Sequence, residues 1–259
     1  MKSLVYGNGE SRQVWDITKK YKGFTTWGCN AIYRDAVVDN LVAIDYGVQQ
    51  EIYESGYAIE NRCHFADWAI LEDFDPEFLK MNYTPMDIHE TEKGDIASCV
   101  VQGKERETAE KNYEEMINQF PHLDKEDCKN KCYTNVGLYI TWLKENDSVE
   151  YIEYPREWCA GATAMYLACQ EGDDEVYMLG FDLSEYDEPI NNIYKGTKNY
   201  LSETSKGFNT DNWTTQLIQI FKDFPETQFY WVVKEDASPL VCNNVKSITY
   251  KDLDKRCQM

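Results

Sequence analysis

The sequence has few basic residues and few histidines, and it contains no long apolar run. Its 259 residues include 46 acidic and 26 basic side chains, for a net charge of -20, and no basic cluster is visible. Non-specific nucleic-acid binding needs a basic surface, so this composition disfavours nucleic acid as a partner. Residues 1–6 are too short for the apolar part of a signal peptide, and no segment approaches the roughly 18 apolar residues of a membrane span. We therefore expect a cytoplasmic protein without a membrane span.

The cysteines lack the paired spacing of a metal or redox motif. Nine cysteines are scattered along the chain without a CxxC arrangement, and only three histidines accompany them. Zinc sites usually combine closely spaced pairs of ligands. The odd number and the scatter predict reduced, mostly buried thiols and no metal site.

Short apolar runs alternate with helical patterns at both ends of the chain, which is typical of a parallel sheet with crossover helices. We predict a single α/β domain over 1–259, with a Rossmann-like, mostly parallel sheet flanked by helices. The predicted strands of the two end regions are 3–6, 24–29, 40–45, 175–181, 227–233 and 247–250. The predicted helices there are 11–20, 47–55, 160–170 and 212–221.

Residues 73–150 interrupt this alternation with an acidic, irregular stretch and a charged helical pattern at 104–120. Two strands are predicted at 136–143 and 149–154, joined by a turn-forming Glu-Asn-Asp-Ser sequence. We interpret 73–150 as an insertion or a lid-like segment that includes these two strands as a hairpin.

The first predicted strand runs into residues 7–11, Gly-Asn-Gly-Glu-Ser, ahead of a predicted helix. A glycine turn in this position lets backbone N–H groups and the positive end of a helix dipole face an anion. We predict a phosphate-binding loop, with an ordinary tight turn as the alternative. Arg12 stands where the dinucleotide fingerprint GxGxxG has its third glycine, which argues against a dinucleotide ligand.

Further motifs fall at the predicted carboxyl ends of strands, where open α/β sheets bind their ligands. Asn30 follows the second strand, and Asp45 follows the third. A helix of small residues containing Gly161 precedes a strand that ends in Gly180-Phe181-Asp182. Plain α/β architecture explains the helix and the strand, but it explains the ending in Gly-Phe-Asp less well.

The order of these motifs resembles that of the small bacterial sialyltransferases with a single Rossmann-like domain. The pattern GNG-x-S, then CN, then G-x-x-A and VY-x-x-G-x-D covers about residues 1–60 and 156–233. The motility-accessory-factor glycosyltransferases and archaeal pterin pyrophosphokinase-like proteins share parts of it. The resemblance implies a nucleotide-sugar-dependent glycosyltransferase that takes a donor of the cytidine-monophosphate-sugar type and a hydroxyl-bearing acceptor, without a required cofactor.

The resemblance also implies roles for individual residues. In this family the glycine loop and the residues at the strand ends hold the donor, whose phosphate and sugar would lie against Gly7, Asn8, Gly9 and Ser11. Asn30 would contact the donor sugar or ribose, Gly161 would lie close to the donor, and Gly180 and Asp182 would line the nucleotide. Tyrosines after that strand hydrogen-bond the departing phosphate without a metal in the sialyltransferases, and the candidates here are Tyr186 and Tyr194.

One residue of the sialyltransferase pattern is missing. Those enzymes use a histidine beyond the tyrosine loop as general base, and this chain has no histidine after His122. Asp211 lies in the equivalent region and can accept the proton of an acceptor hydroxyl. A role as a helix-capping acid is at least as good an explanation of Asp211. A different sugar donor, a different reaction and a loss of activity therefore stay open.

Two other functions are compatible with the same residues. The acidic cluster Asp182, Glu185, Asp187 and Glu188 suits Mg²⁺ in a phosphoryl or pyrophosphoryl transferase, although a solvated acidic loop is the simpler explanation. Residues 73–75 spell the DxD of metal-dependent glycosyltransferases, a pattern expected by chance in so acidic a chain. The missing histidine also fits a non-catalytic binding or structural protein, including one encoded by a virus. Assembly into a homo-oligomer is left open.

Overall fold

The computed structural model describes residues 1–66, 84–90, 96–102, 106–133, 138–142, 149–152, 158–183, 188–207, 210–234, 240 and 242–258. The chain divides into two compact units. The larger unit combines Met1–Ala66 with Asp147–Met259, and the smaller unit is Asp67–Asn146. The smaller unit is thus inserted, in sequence, between two parts of the larger one.

The larger unit is built on an eight-stranded sheet in which every neighbouring pair is parallel. The described strands include the eight of this sheet and three of the smaller unit. In chain order they are β1 (Lys2–Tyr6), β2 (Thr25–Cys29), β3 (Asn40–Ala43), β4 (Cys63–Ala66), β5 (Thr84–Glu90), β6 (Ile96–Gln102), β7 (Leu138–Trp142), β8 (Val149–Ile152), β9 (Glu175–Leu179), β10 (Gln228–Val233) and β11 (Val245–Thr249). The order across this sheet is β11-β10-β9-β1-β2-β3-β4-β8. The predicted Rossmann-like α/β fold is confirmed.

Helices of the larger unit pack on its sheet and bury the central strands. The described helices in chain order are α1 (Tyr46–Glu54), α2 (Tyr57–Glu60), α3 (Arg106–Gln119), α4 (Lys125–Tyr133), α5 (Ala160–Gln170), α6 (Asp211–Asp223) and α7 (Tyr250–Cys257), of which α3 and α4 belong to the smaller unit. α5 packs on β1, β2, β3 and β9, and it approaches closely because Ala162, Ala164 and Ala168 are small and fully buried. Leu4, Val5 and Tyr6 are all fully buried in β1, as expected for a strand covered on both faces.

The predicted helix at 11–20 is wrong. The chain forms only a 3-10 helix, Glu10–Val14, and then turns. In the turn, Asp16 Oδ1 accepts hydrogen bonds from the backbone N–H and the hydroxyl of Thr18, at 3.0 and 2.7 Å. An aspartate that bonds to nearby backbone in this way offers an alternative to helical hydrogen bonding.

The predicted hairpin between 136–143 and 149–154 is also wrong, because its two strands belong to different sheets. β7 pairs antiparallel with β6 in a three-stranded sheet of order β5-β6-β7, whereas β8 pairs parallel with β4. Residues 143–148 separate the two strands, a longer connection than the roughly 2–5 residues of common hairpin loops. The smaller unit also contains α3 packed on α4, and its action as a lid stays a prediction.

Two expectations from composition can be compared with the structure. Within the described ranges, no helix is both long and apolar enough to cross a membrane. The cysteines whose side chains are described are thiols rather than disulfides and most of them are buried, as the sequence predicts. The buried ones are Cys29, Cys63, Cys128, Cys132 and Cys169.

Candidate functional site

The candidate site lies at the carboxyl edge of the large sheet, where β1 sits between β9 and β2. The chain proceeds from β1 toward β4 in one direction and later from β9 toward β11 in the other. Open α/β sheets bind ligands at such a reversal of strand order. A cleft of about 170 Å³ lies here. All the predicted binding residues except Ser11 line it: Gly7, Asn8, Gly9, Asn30, Gly161, Gly180 and Asp182.

The glycine loop after β1 is pressed against the loop after β9. The N–H of Gly7 donates to Leu179 O at 2.8 Å, and that of Gly9 donates to Gly180 O at 2.9 Å. A Cβ atom on Gly9 would lie 2.6 Å from the Asp182 carboxyl carbon, too close for any side chain. Gly180 has a φ of +69° and would place a Cβ 2.8 Å from Gly7 O. These glycines are therefore required by the close approach of two backbone segments.

The next N–H groups of the loop are bonded to side chains of the protein. Glu10 N–H donates to Asn191 Oδ1 at 2.8 Å, and Ser11 N–H donates to Asp182 Oδ2 at 2.7 Å. The Ser11 hydroxyl also donates to the Asp182 carboxylate. A phosphate bound by these N–H groups would have to displace Asp182. The Asp182 carboxylate thus occupies the position beside the glycine loop where the sequence predicts the phosphate of a ligand.

The start of α5 is the second helix terminus at the cleft, and it lines the cleft with Cys159, Ala160 and Gly161. No described side chain caps this helix, although the N–H of Thr163 donates to Cys159 O at 2.9 Å. Burial raises the pKa of the Cys159 thiol, and the nearby N–H groups of Ala162 and Gly161 partly offset that rise. The first N–H groups of this eleven-residue helix therefore lie beside the Cys159 thiol, and Cys159 lines the cleft.

Two asparagines that line the cleft have buried amide oxygens. Asn8 Nδ2 donates to the Tyr200 hydroxyl at 3.4 Å, and Asn30 Nδ2 donates to Asp45 Oδ2 at 3.3 Å. In the part of the chain that the structure describes, neither Asn8 Oδ1 nor Asn30 Oδ1 has a hydrogen-bond donor. Asn30 adopts a φ of +51°, a left-handed conformation that asparagine tolerates better than most residues. Both oxygens thus belong to residues that line the cleft and are buried without a donor from the described residues.

Asp45 is the carboxylate that accompanies this pair of amides. It lies after β3 and receives its hydrogen bond from Asn30, and its charge also raises the pKa of Cys159. Desolvation by the surrounding protein raises the pKa of Asp45, and the bond from Asn30 partly offsets the rise, although Asp45 keeps an exposed surface and does not itself line the cleft. Asp45 is connected to the cleft through Asn30, and this carboxylate with a raised pKa is a candidate for proton transfer there.

Of the two tyrosines predicted to contact the departing phosphate, the structure describes one. Tyr186 lies outside the described residues. Tyr194 is buried, donates to Asp35 Oδ2 at 2.6 Å and accepts from Arg12 Nη2 at 3.2 Å. The hydroxyl of Tyr200 is bonded to a cleft residue, since it accepts from Asn8 and, at 3.2 Å, from the N–H of Ala31. The sequence carried no signal that favoured Tyr200 over the other tyrosines of this loop.

Residues 188–207, the described part of the loop after β9, are held by charged side chains of the segments that follow β1, β2 and β3. Lys195 pairs with Glu10 at 2.5 Å, and Arg34 Nη1 donates to Thr197 Oγ1 at 2.8 Å. Asn199 Nδ2 donates to Glu51 Oε2 at 2.8 Å. The loop therefore holds Tyr200 in place before any ligand binds.

The predicted base Asp211 is exposed in the first turn of α6. The same helix reaches the cleft with Trp213 and Leu217. Of the predicted acidic cluster, Asp182 bonds to Ser11, Glu188 is exposed, and residues 185 and 187 lie outside the described ranges, as do 73–75. Across the described side chains, no group of three or more His, Cys, Asp or Glu residues is arranged to hold a metal ion.

Comparison of the chain with protein-family models, with curated proteins and with solved structures finds no match. The function is therefore argued from the geometry of the cleft.

Proposed function

We propose that the protein is a nucleotide-sugar-dependent glycosyltransferase of the sialyltransferase-like type, with its donor bound in the cleft beside β1. The observation that carries the proposal is the pair of buried oxygens, Asn8 Oδ1 and Asn30 Oδ1, which have no donor among the described residues. Buried polar atoms are almost always hydrogen-bonded, so such acceptors call for donor groups on a ligand. Sugar and ribose hydroxyls are donors of the required kind.

The start of α5 suits the opposite end of such a ligand. Its N–H groups and the positive end of its dipole favour an anionic group such as a phosphate. The cleft of about 170 Å³ is smaller than the ~300–1,000 Å³ of most ligand pockets. We therefore place the phosphate and the adjoining sugar in the cleft and the base of the nucleotide toward its open side.

Asp45 is the general base in this proposal. It would take the proton of an acceptor hydroxyl while the hydroxyl oxygen bonds to the anomeric carbon of the donor sugar. The bond from that carbon to the phosphate oxygen breaks, and the nucleotide phosphate leaves with the bonding electrons. The raised pKa of Asp45 and its bond to Asn30 support this role. Asp211 stays the second candidate for the base.

A non-catalytic nucleotide-sugar-binding protein is the second candidate function. The observation that favours it is the position of Tyr194, which is buried and bonded to Arg12 and Asp35 rather than directed to a donor phosphate. Donor binding without transfer of the sugar to any acceptor would support this candidate.

The proposal is tested by thermal unfolding with CMP-, UDP-, GDP- and dTDP-sugars, each in Mg²⁺ and in EDTA. A donor at 100 times its dissociation constant stabilises a protein by about 2.7 kcal/mol, or roughly 5–10 °C for a chain of this size. We expect the CMP-sugar to do so in both solutions. Stabilisation that needs Mg²⁺ would favour phosphoryl or pyrophosphoryl transfer, and no stabilisation by any of them would contradict the proposal.

A further inference from the structure

The donor cleft has an apolar part that binding of a phosphate and a sugar does not use. Phe181, Leu183, Trp213 and Leu217 line it beside the polar residues. Trp213 and Leu217 are four residues apart on α6, so they lie on the same face of that helix. Leu217 is only 2% exposed, whereas Trp213 is half-buried. Trp213 is therefore the nearer of the two to solvent, toward the open side of the cleft.

A hydrogen bond between two helices fixes Trp213 relative to the start of α5. Gln216 is buried, and its Oε1 accepts the N–H of Cys159 at 3.0 Å. Cys159 directly precedes α5, where the proposed function places the phosphate of the donor. Trp213 lies three residues before Gln216, or about 4.5 Å along the axis of α6. The indole is thus held in the neighbourhood of the phosphate position, where the ribose of a nucleotide would carry its base.

The cleft offers little charge with which to bind a nucleotide. Among the described residues that line it, none is Lys, Arg or His, and its carboxylate, Asp182, is bonded to Ser11. Helix N–H groups and asparagine amides are left to hold the phosphate and the sugar. Uncharged contacts to the base then have to supply part of the affinity, and stacking of a base on an aromatic side chain is such a contact.

We infer that Trp213 stacks on the nucleobase of the donor at the open side of the cleft. The inference rests on the proposed function, from which it takes the position of the phosphate. An indole offers a flat apolar face, which matches a planar base better than it matches a sugar ring with hydroxyls around its edge. Every base has such a face, so Trp213 contributes affinity for nucleotides without selecting one base over another.

The test is ligand-observed NMR titration of the full chain with CMP, UMP and GMP, and with ribose 5-phosphate, which has the sugar and the phosphate but no base. Trp213→Leu keeps an apolar side chain and removes the ring, and Trp213→Phe keeps a smaller ring. Trp15→Leu is the matched control. Trp15 is also half-buried, but it stacks on Tyr21 with ring centroids 5.0 Å apart and does not line the cleft.

We expect at least one monophosphate to bind, with a dissociation constant that rises about fivefold or more in Trp213→Leu and stays at the wild-type value in Trp15→Leu. Trp213→Phe should recover most of the affinity, because it restores a ring face. Ribose 5-phosphate should bind the wild type and Trp213→Leu equally. In the wild-type complex, the base protons should receive more saturation from the protein than the ribose protons do, and this readout does not need a variant that folds.

Three results would overturn the inference, and they separate its failure from that of the proposed function. Unchanged monophosphate affinity in Trp213→Leu, or weaker saturation of the base than of the ribose, would remove Trp213 from the site and leave the proposed function standing. An equal loss of affinity for ribose 5-phosphate would show that Trp213 acts on the sugar or the phosphate instead. Binding of no monophosphate to the wild type would contradict the proposed function together with the inference.

Discussion

Replacement of Asp182 by alanine separates a structural role from a ligand-binding role. Its carboxylate accepts the backbone N–H of Ser11 at 2.7 Å and the Ser11 hydroxyl, and Ser11 is only 7% exposed. Hydrogen bonds to a charged group contribute about 1.5–3 kcal/mol each, and the half-buried position of Asp182 lowers that value. We expect Asp182→Ala to reduce the free energy of unfolding by about 2–3 kcal/mol, or roughly 5–10 °C in Tm.

Urea unfolding is the assay, and Asp182→Asn is its control. The asparagine keeps an acceptor oxygen for the Ser11 N–H but loses the charge, so its loss of stability should be smaller than that of Asp182→Ala. The urea midpoint should fall with little change in slope. Wild-type stability in Asp182→Ala combined with lost nucleotide binding would refute this reasoning, because it would make the carboxylate a ligand-binding group rather than a clamp on the glycine loop.

Three further predictions follow from single contacts. Gly180→Ala should lose more stability in urea than Gly23→Ala, because both have positive φ but only Gly180 faces backbone that a Cβ would meet at 2.8 Å; equal losses would contradict the packing of the two loops. Burial lowers the pKa of His64 from 6.5 to about 4, so the unfolded chain binds the extra proton first and stability falls as the pH drops through that range. For this one proton, the free energy of unfolding changes by at most about 1.4 kcal/mol per pH unit. The His64→Gln variant should lack this contribution when its unfolding is measured as a function of pH. Asp45→Asn should abolish sugar transfer but keep stabilisation by the donor, whereas Asp211→Asn should keep both; the reverse pattern would make Asp211 the base.

The sequence predicts the fold of the larger unit well, because burial on both faces leaves a clear pattern. The apolar run at 3–6 and the small-residue helix at 160–170 coincide with β1 and α5 to within a residue. The pattern fails where a few contacts decide the local structure. At the predicted helix 11–20, the chain instead turns at Asp16, whose carboxylate bonds to Thr18. β8 pairs with β4 of the large sheet rather than with β7, the strand before it in the sequence.

The candidate site is predictable in its residues but not in their contacts. Strand ends in a parallel sheet meet at one edge, so Asn8, Asn30 and Gly180 could be placed together from sequence. Which groups bond to one another depends on distances that no short motif encodes. The pairing of Asp182 with Ser11 and the hydrogen bond from Arg12 to Tyr194 are two such results.

Calorimetric titration of Asn30→Gly with the nucleotide-sugar that stabilises the wild type tests the account most directly. Glycine accepts the φ of +51° at this position, so the change removes the amide without straining the backbone. Asn199→Gly is the matched control, since Asn199 also has a positive φ, of +65°, and its amide bonds to Gly47 and Glu51 outside the cleft. We predict that Asn30→Gly weakens donor binding about tenfold or more, equivalent to at least ~1.4 kcal/mol, while Asn199→Gly binds as the wild type does. Wild-type affinity in Asn30→Gly would contradict the placement of the donor in the cleft beside β1.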